Sequence, residues 1–111
     1  MDINQETRGT VSIVAPQGRI DSNTAKAFEE RLLGILDGSA KSVVIDLGGL
    51  AYISSAGLRV MLMAAKRAKA QQIKLALCAL TDNVRSVFDM SGFGQLFQIH
   101  KAVEEAIASV Q

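Results

Sequence analysis

The sequence predicts an α/β fold with a mostly parallel sheet, and three patterns in the chain support this prediction. Short runs of aliphatic and β-branched residues alternate with segments whose apolar residues recur every three or four positions, which is typical of alternating strands and helices. Strands joined by helices pair in parallel through right-handed crossovers. The first two strand-like runs are separated only by a turn-forming glycine, which favours an antiparallel hairpin. We expect four to five strands and about four helices, in the order β-β-α-β-α-β-α-β-α.

The N-terminal part of the chain contains the hairpin and the first helix. We assign the two strands to Ile3–Arg8 and residues 10–15, on either side of Gly9. The segment Asp21-Ser22-Asn23-Thr24 then offers several N-caps for a helix. This helix stops near Gly38. Its apolar face consists of Ala25, Phe28, Leu32, Ile35 and Leu36.

The middle of the chain predicts a buried strand, a loop and a second helix. Residues 43–47 are almost all apolar and rich in β-branched side chains, which is typical of a strand covered on both faces. A loop over residues 48–55 follows, and it contains two glycines and two adjacent serines. The second helix spans residues 58–70, because its apolar residues lie at i, i+3, i+4 and i+7.

The C-terminal part continues the alternation. Residues 73–79 predict a strand, and Thr81 or Asp82 caps a short helix that stops near Gly92. Residues 96–99 form a last strand and residues 101–110 a last helix.

Composition describes an ordinary soluble domain. The chain has 111 residues, of which 49% are hydrophobic and 21% charged, so we expect one domain over residues 1–111. The formal net charge of +1 gives no indication of nucleic-acid binding. The N-terminus does not resemble a signal peptide, and no apolar run is long enough to span a membrane. We expect a reduced, cytoplasmic protein without membrane insertion.

A binding site is expected where the parallel strands end, because loops gather at that edge of such a sheet. Three loops qualify: residues 17–22, residues 48–55 and the loop around Thr81. They bring to the same side of the molecule the polar residues Asp21, Asp46, Ser54, Ser55 and Thr81.

Catalysis has little support in this sequence. The single histidine, His100, is far in sequence from the serines and from the single cysteine, Cys78. Nucleophilic catalysis needs a base within hydrogen-bond reach of the nucleophile, and no Gly-x-Ser-x-Gly elbow is present. The Gly-Lys-Ser/Thr of a phosphate-binding loop and a metal-ligand cluster are also missing. We expect no catalytic residue, no metal and no cofactor.

Several candidate residues also have a purely structural interpretation. Ser54 either caps the second helix or is exposed for modification, and for Ser54 alone we favour the cap. For Asp46 we favour a role as acceptor of loop N–H groups. Asp21 is interpreted as a cap that also lines the site. Cys78 is interpreted as a small core residue. The basic helix end, with Lys66, Arg67 and Lys69, is either solvated or docks an acidic partner.

Three segments together resemble a known family. Asp46-Leu47, followed by Ile53-Ser54-Ser55-Ala56-Gly57-Leu58-Arg59-Val60, resembles the signature of the STAS domain, in particular of small bacterial anti-sigma-factor antagonists. Gly18-Arg19-Ile20-Asp21 resembles the family's Gly-x-Leu/Ile-Asp, and Ser91-Gly92-Phe93 resembles its segment near the end of the third helix. The resemblance covers essentially the whole chain.

The resemblance implies a protein that is a switch and not an enzyme. Family members bind an anti-sigma factor that is itself a serine protein kinase, and a serine phosphatase reverses the phosphorylation. Alignment on Gly57 places the phosphoacceptor at Ser55, with Ser54 in the place of the family's aspartate and Ala56 in that of its second serine. Ser54 is a secondary candidate for the acceptor.

The resemblance also implies a partner-binding surface around this serine. We expect the small side chains of Ala56 and Gly57 to let a partner approach closely. The oligomeric state stays open, a homodimer included. The residues expected to bind the partner or line the site are Asp21, Ser22, Asp46, Ser54, Ala56, Gly57, Leu58 and Arg59.

Two alternatives remain. The chain could be a constitutive STAS scaffold subunit of a lipid-transport ATP-binding assembly, which docks through the same helix without a phosphorylation cycle. The missing acid before Ser55 favours this alternative, whereas the retained serine favours the switch. A third interpretation is direct nucleotide binding at the edge where the strands end.

Overall fold

The computed structural model describes all 111 residues, Met1 to Gln111, as seven strands, four α-helices and one short 3-10 helix. The strands are β1 (Ile3–Arg8), β2 (Val11–Pro16), β3 (Gly18–Ile20), β4 (Ser42–Asp46), β5 (Leu50–Ile53), β6 (Lys74–Cys78) and β7 (Gln98–His100). The α-helices are α1 (Ala25–Leu36), α2 (Ser55–Ala70), α3 (Asp82–Ser91) and α4 (Val103–Val110), and the 3-10 helix spans Phe93–Leu96.

The main sheet has five strands in the order β1-β2-β4-β6-β7. β1 and β2 pair in antiparallel register, and every other pair in this sheet is parallel. Gly9, in the turn between β1 and β2, has a φ of +61°, in the left-handed region that glycine adopts without strain. The predicted fold class is therefore confirmed, including the N-terminal hairpin.

A second, two-stranded sheet was missed by the sequence analysis. β3 and β5 pair in parallel with each other and not with the main sheet. Both lie in segments that were predicted to be loops, residues 17–22 and 48–55. The prediction is wrong for the parts of these segments that form β3 and β5. Strands of three and four residues are too short to show a period of two, and only their mutual hydrogen bonds define them.

Both faces of the main sheet are covered. Val43, Ile45 and Leu77 pack with α1, α2 and α3 in one core. Val44 points the other way and packs with Ile107 of α4 in a second core. Four successive residues of β4, Ser42 to Ile45, are therefore buried, as the near-continuous apolar run predicted.

Several element bounds differ from the predicted ones. α2 begins at Ser55 and not at residue 58. The apolar pattern did not reveal this start, because the first residues of the helix are small and show no apolar period. β7 begins at Gln98, since the preceding Phe93–Leu96 forms the 3-10 helix. α3 ends where predicted, with Gly92 in the left-handed region at a φ of +77°. None of the helices has the length and hydropathy of a membrane-spanning segment.

Candidate functional site

The second sheet positions the two predicted site loops next to each other. Ile20 and Ile53 are paired residues at the ends of β3 and β5. The backbone N–H of Ser54 donates to the carbonyl of Ile20 at 2.8 Å. Asp21 and Ser54, each the first residue after its strand, are therefore close neighbours at the start of α2.

Ser54 is the N-cap of α2. Its backbone is extended, with φ −91° and ψ 177°, and its Oγ accepts a hydrogen bond from the N–H of Gly57 at 3.3 Å. Its carbonyl accepts the N–H of Leu58 at 2.9 Å, the first bond of the helix. The cap interpretation of Ser54 is thus confirmed, and its hydroxyl is occupied within the chain.

Ser55 is the first residue of α2, and its side chain takes no part in the cap. The residue is exposed. Helix N-termini carry partial positive charge and free N–H groups, and the first turn of α2 contains no acidic residue that would compensate them. The structure therefore presents an accessible hydroxyl at an uncompensated helix N-terminus.

Gly57 faces the interior of the molecule. A Cβ at this position would lie 2.6 Å from Cγ1 of Ile53 and 2.7 Å from Cγ2 of Ile20. The expected reason for this glycine, room for an approaching partner, is therefore replaced by close packing of α2 on β3 and β5. Leu58 is also buried, whereas Arg59 is exposed.

Asp21 organises the turn before α1. Its Oδ1 accepts the backbone N–H groups of Asn23 at 2.9 Å and Thr24 at 3.3 Å. The Asn23 bond is the main cause that lowers the pKa of this carboxyl, and the Thr24 bonds and Arg19 lower it further. Asp21 is thus a turn-capping anion beside Ser54, and the neighbouring Ser22 is exposed.

Arg19 and Tyr52 form a pair that the sequence analysis missed. The guanidinium lies 4.4 Å from the centroid of the Tyr52 ring, and its Nε lies 3.7 Å from Oδ2 of Asp21. The two residues are partners in the β3–β5 register, so their contact follows from a pairing that the sequence does not reveal. Tyr52 is 38% exposed, which leaves an aromatic and cationic surface beside the start of α2.

The third predicted loop joins the other two through Thr81. Its hydroxyl donates to the carbonyl of Leu50 in β5 at 3.2 Å. The same oxygen accepts the N–H of Val84 at 3.4 Å, which makes Thr81 the N-cap of α3. The three loops therefore meet, as the topology predicted.

Asp46 serves its own loop. Its Oδ1 accepts the N–H of Gly48 at 3.0 Å, which confirms the role we favoured from the sequence. Asp46 also lines a cavity of about 250 Å³, together with Gln5, Ala15 and Gln17. Ser54 and Ser55 do not line that cavity.

Two further candidate side chains, Cys78 and Arg67, are buried and ion-paired, respectively. Burial, together with the charge of Asp46, raises the pKa of the Cys78 thiol to about 12. Nη1 of Arg67 lies 2.7 and 2.8 Å from the two carboxylate oxygens of Asp37. No group of three or more histidine, cysteine, aspartate or glutamate side chains is arranged to hold a metal ion. At this edge of the sheet, Ser22 and Ser55 are exposed residues with hydroxyl groups.

Comparisons with known proteins agree with this architecture. BtrV of Bordetella bronchiseptica, named as an anti-sigma factor antagonist, is 43% identical over 97 residues, which cover 87% of this chain and 84% of BtrV. The structure of an anti-sigma factor antagonist from Thermotoga maritima matches with a TM-score of 0.91 at 18% identity, over 97% of this chain and 93% of that one. Unphosphorylated SpoIIAA matches with a TM-score of 0.82 at 21% identity, over 98% and 96% of the two chains.

The family assignment comes from the sequence itself. A family model described as the STAS domain matches residues 2–106, which is nearly the whole chain. The solved structures agree in fold at lower identity. The chain therefore belongs to the STAS domain family.

Proposed function

We propose that this protein is an anti-sigma factor antagonist that acts as a phosphorylation switch. It binds an anti-sigma factor of the serine-kinase type, phosphorylation of Ser55 by that kinase ends the binding, and a serine phosphatase restores it. The protein acts in the cytoplasm, as a single domain, and catalyses no reaction itself. The name of BtrV, the relative at 43% identity, supports the antagonist role. A solved relative of the same fold is described as SpoIIAA in its phosphorylated form.

The observation that carries the proposal is the division of roles between the two serines. The Ser54 hydroxyl is occupied as the helix cap, whereas the Ser55 residue is exposed and outside the cap. A kinase therefore has access to Ser55 without breaking the first turn of α2. Ser55 is the acceptor in this proposal, and Ser54 is secondary to it.

Physical chemistry explains how one phosphoryl group separates two proteins without unfolding either. Phosphorylation adds a charge of about −1.5 to −2 at neutral pH. At the N-terminus of α2 this charge is favoured by the helix dipole and the free N–H groups, so the fold persists. In a packed interface the same charge must lose its hydration, which weakens binding. A cost of about 3 kcal/mol in binding free energy reduces the affinity more than a hundredfold.

The surface proposed to contact the kinase surrounds Ser55. It includes the exposed Ser22 and Arg59, the half-buried Ala56, and Asp21 with its neighbouring Arg19–Tyr52 pair. Gly57 and Leu58 are buried and act by shaping the start of α2. Arg59 follows Ser55 by four positions, a spacing that places both side chains on one helix face. Its cation is available to pair with the phosphoryl group.

The test measures binding of the cognate kinase-type anti-sigma factor by calorimetry. We expect Ser55→Ala to bind as the wild type does and to accept no phosphate, and Ser55→Asp to lose at least about tenfold in affinity. Mass spectrometry of the tryptic peptide over residues 42–59, which contains Ser42, Ser54 and Ser55, identifies the modified serine. Ser54→Ala is the matched control and should still be phosphorylated.

Two results would contradict the switch. One is a Ser55→Asp variant that binds as tightly as the wild type while its unfolding midpoint is unchanged. The other is phosphate on Ser54 or Ser42 in place of Ser55.

A second candidate function is a constitutive STAS scaffold subunit of a lipid-transport ATP-binding assembly. The observation that favours it is the absence of any acidic residue at the cap or in the first turn of α2. The family signature that this segment resembles has an aspartate at the position of Ser54. Phosphopeptide mapping of the protein from its native cells separates the two candidates, because a scaffold carries no phosphate at Ser55 in any growth condition.

A further inference from the structure

An apolar groove lies beside the C-terminal half of α2. Its volume is about 470 Å³, within the range of small-molecule sites in proteins. Leu62 and Ala65 of α2 line one side, Leu75 of β6 lies between, and Leu96 and Phe97 line the other. Leu96 is 55% exposed and lies beside the other apolar residues of the groove.

The charged residues that line this groove are both cations. Lys66 and Lys69 are exposed and belong to none of the ion pairs in the structure, and no carboxylate lines the groove. Their spacing of three places the two side chains one turn apart on the same face of α2. Arg67, in contrast, binds Asp37. The groove therefore combines an apolar floor with two unpaired ammonium groups.

Neither ammonium group hydrogen-bonds to the last-turn carbonyls of α2. The last-turn carbonyls of Arg67, Ala68 and Lys69 accept the backbone N–H groups of Gln71, Ile73 and Gln72, respectively. The carbonyls are thus hydrogen-bonded within the chain, and the two ammonium groups keep their capacity to bind an external anion.

We propose that this groove binds a single-chain amphiphilic anion, with its carboxylate at Lys66 and Lys69 and its acyl chain against Leu62, Leu75 and Phe97. The volume suits one acyl chain, and the two cations one helical turn apart fit a single headgroup better than an extended run of acidic residues. A neutral ligand would leave both ammonium groups unused. This second site is independent of the proposed antagonist function.

The groove is also independent of Ser55 phosphorylation. Lys66 follows Ser55 by eleven positions, which corresponds to about 16 Å along the helix. This distance exceeds the Debye length of about 8 Å at physiological ionic strength. A phosphoryl group at Ser55 should therefore leave ligand binding in the groove unchanged.

The test is a titration of the ¹⁵N-labelled protein with decanoate below its micelle concentration, followed by two-dimensional NMR. We expect saturable shifts at the groove residues. Decyltrimethylammonium has an alkyl chain of similar length and the opposite charge, and it should bind about tenfold more weakly. The double variant Lys66→Gln/Lys69→Gln should lose the preference for decanoate. The control variant Lys26→Gln/Lys101→Gln, which removes two exposed lysines outside the groove, should keep it.

A third variant tests the apolar part. Leu96→Ser removes an exposed side chain and should weaken both amphiphiles, whereas Ser55→Asp should bind decanoate as the wild type does. Equal affinity for the two amphiphiles, or shifts spread over the whole surface, would overturn the proposal. So would displacement of decanoate by a Leu/Glu amphipathic helical peptide that binds more tightly, because that result assigns the groove to a protein partner. A loss of kinase binding in Ser55→Asp with decanoate binding intact separates this site from the proposed switch.

Discussion

At the scale of single residues, two adjacent serines have different physical roles. Ser54 satisfies a backbone donor of α2, and Ser55 remains exposed one residue later. The difference arises from backbone conformation, since Ser54 is extended and Ser55 is already helical. The two serines therefore differ by position, one at the cap and one in the first turn of α2.

Substitution of Ser54 should reveal the cap directly. Ser54→Ala leaves the N–H of Gly57 without its acceptor and should lower the free energy of unfolding by about 1 kcal/mol. Ser54→Asp restores an acceptor and adds a favourable charge at the helix start, so its stability should match or exceed that of the wild type. Urea unfolding measures both, with Ser55→Ala as the control. Equal stability of Ser54→Ala and the wild type would disprove the cap.

Gly57 is required by packing. A methyl group at this position would overlap the fully buried Ile20 and Ile53, so Gly57→Ala should destabilise the protein by about 1–2 kcal/mol despite the better helix propensity of alanine. Gly34 is the matched control, because a Cβ there meets nothing within 4 Å. Gly34→Ala should therefore stabilise by about 0.5–1 kcal/mol. Chemical denaturation of the two variants tests the contrast, and a stabilised Gly57→Ala would refute it.

At the scale of elements, the C-terminal ends of α1 and α2 are joined by a polar cluster. Asp37, the C-cap of α1, accepts hydrogen bonds from Arg67 and, at 2.8 Å, from Nε2 of Gln71. The bonds from Arg67 and then Gln71 lower the pKa of Asp37 below its ordinary value of 3.8. The basic end of α2 was predicted to be solvated or to dock an acidic partner, and for Arg67 this is corrected by its ion pair with Asp37.

The Asp37 cluster predicts a pH dependence of stability. Because the pKa of Asp37 is lower in the folded protein, its contribution is complete above its ordinary pKa of 3.8 and is lost as the pH falls through the lower folded value. Asp37→Asn should therefore lower the melting temperature at neutral pH, and the difference from wild type should shrink below about pH 4. Glu30→Gln, at an exposed position of α1 outside the ion pairs, is the control. A difference that is constant with pH would contradict the role of the Asp37 charge.

At the scale of the whole molecule, the main sheet is covered on both faces. Helices α1 to α3 cover one face and α4 covers the other, and the hydroxyl of the buried Ser42 donates to the carbonyl of Val110 at 2.6 Å. The second sheet lies at the edge where the strands end, where it carries the loops of the site. A rigid scaffold with an exposed serine at its edge suits a switch that changes binding without changing the fold.

Cys78 offers a probe of this scaffold as a whole. It is fully buried in the α4-side core, and burial raises its pKa to about 12, so the folded protein should not react with a disulfide reagent. Reaction should require global opening and proceed at least about a thousandfold more slowly than in urea. An Ala108→Cys variant, at an exposed position of α4, should react immediately at one of its two thiols. A rapid reaction of Cys78 in the native protein would show that α4 opens without unfolding of the rest of the molecule.

Much of the fold could be predicted because its larger elements have local periods. The run around Val44 shows that β4 is covered on both faces, and the spacing of apolar residues reveals α1 and α2. The candidate serines could be found for a similar reason, since they follow a buried strand and precede a helix. For α3 the same local pattern left Thr81 and Asp82 as candidate caps, and the structure assigns the cap to Thr81.

The sequence by itself determined the α/β class, the hairpin and the position of two serines at the start of a helix, because periodicity and capping depend on residues close together in the chain. Only the tertiary structure decided why Gly57 is small and that Arg19 lies over Tyr52. Each of these depends on the pairing of β3 with β5, which are separated by a whole helix and β4 and are too short to show a pattern of their own. The register between distant strands is set by packing of the complete molecule, and no local run of residues contains that information.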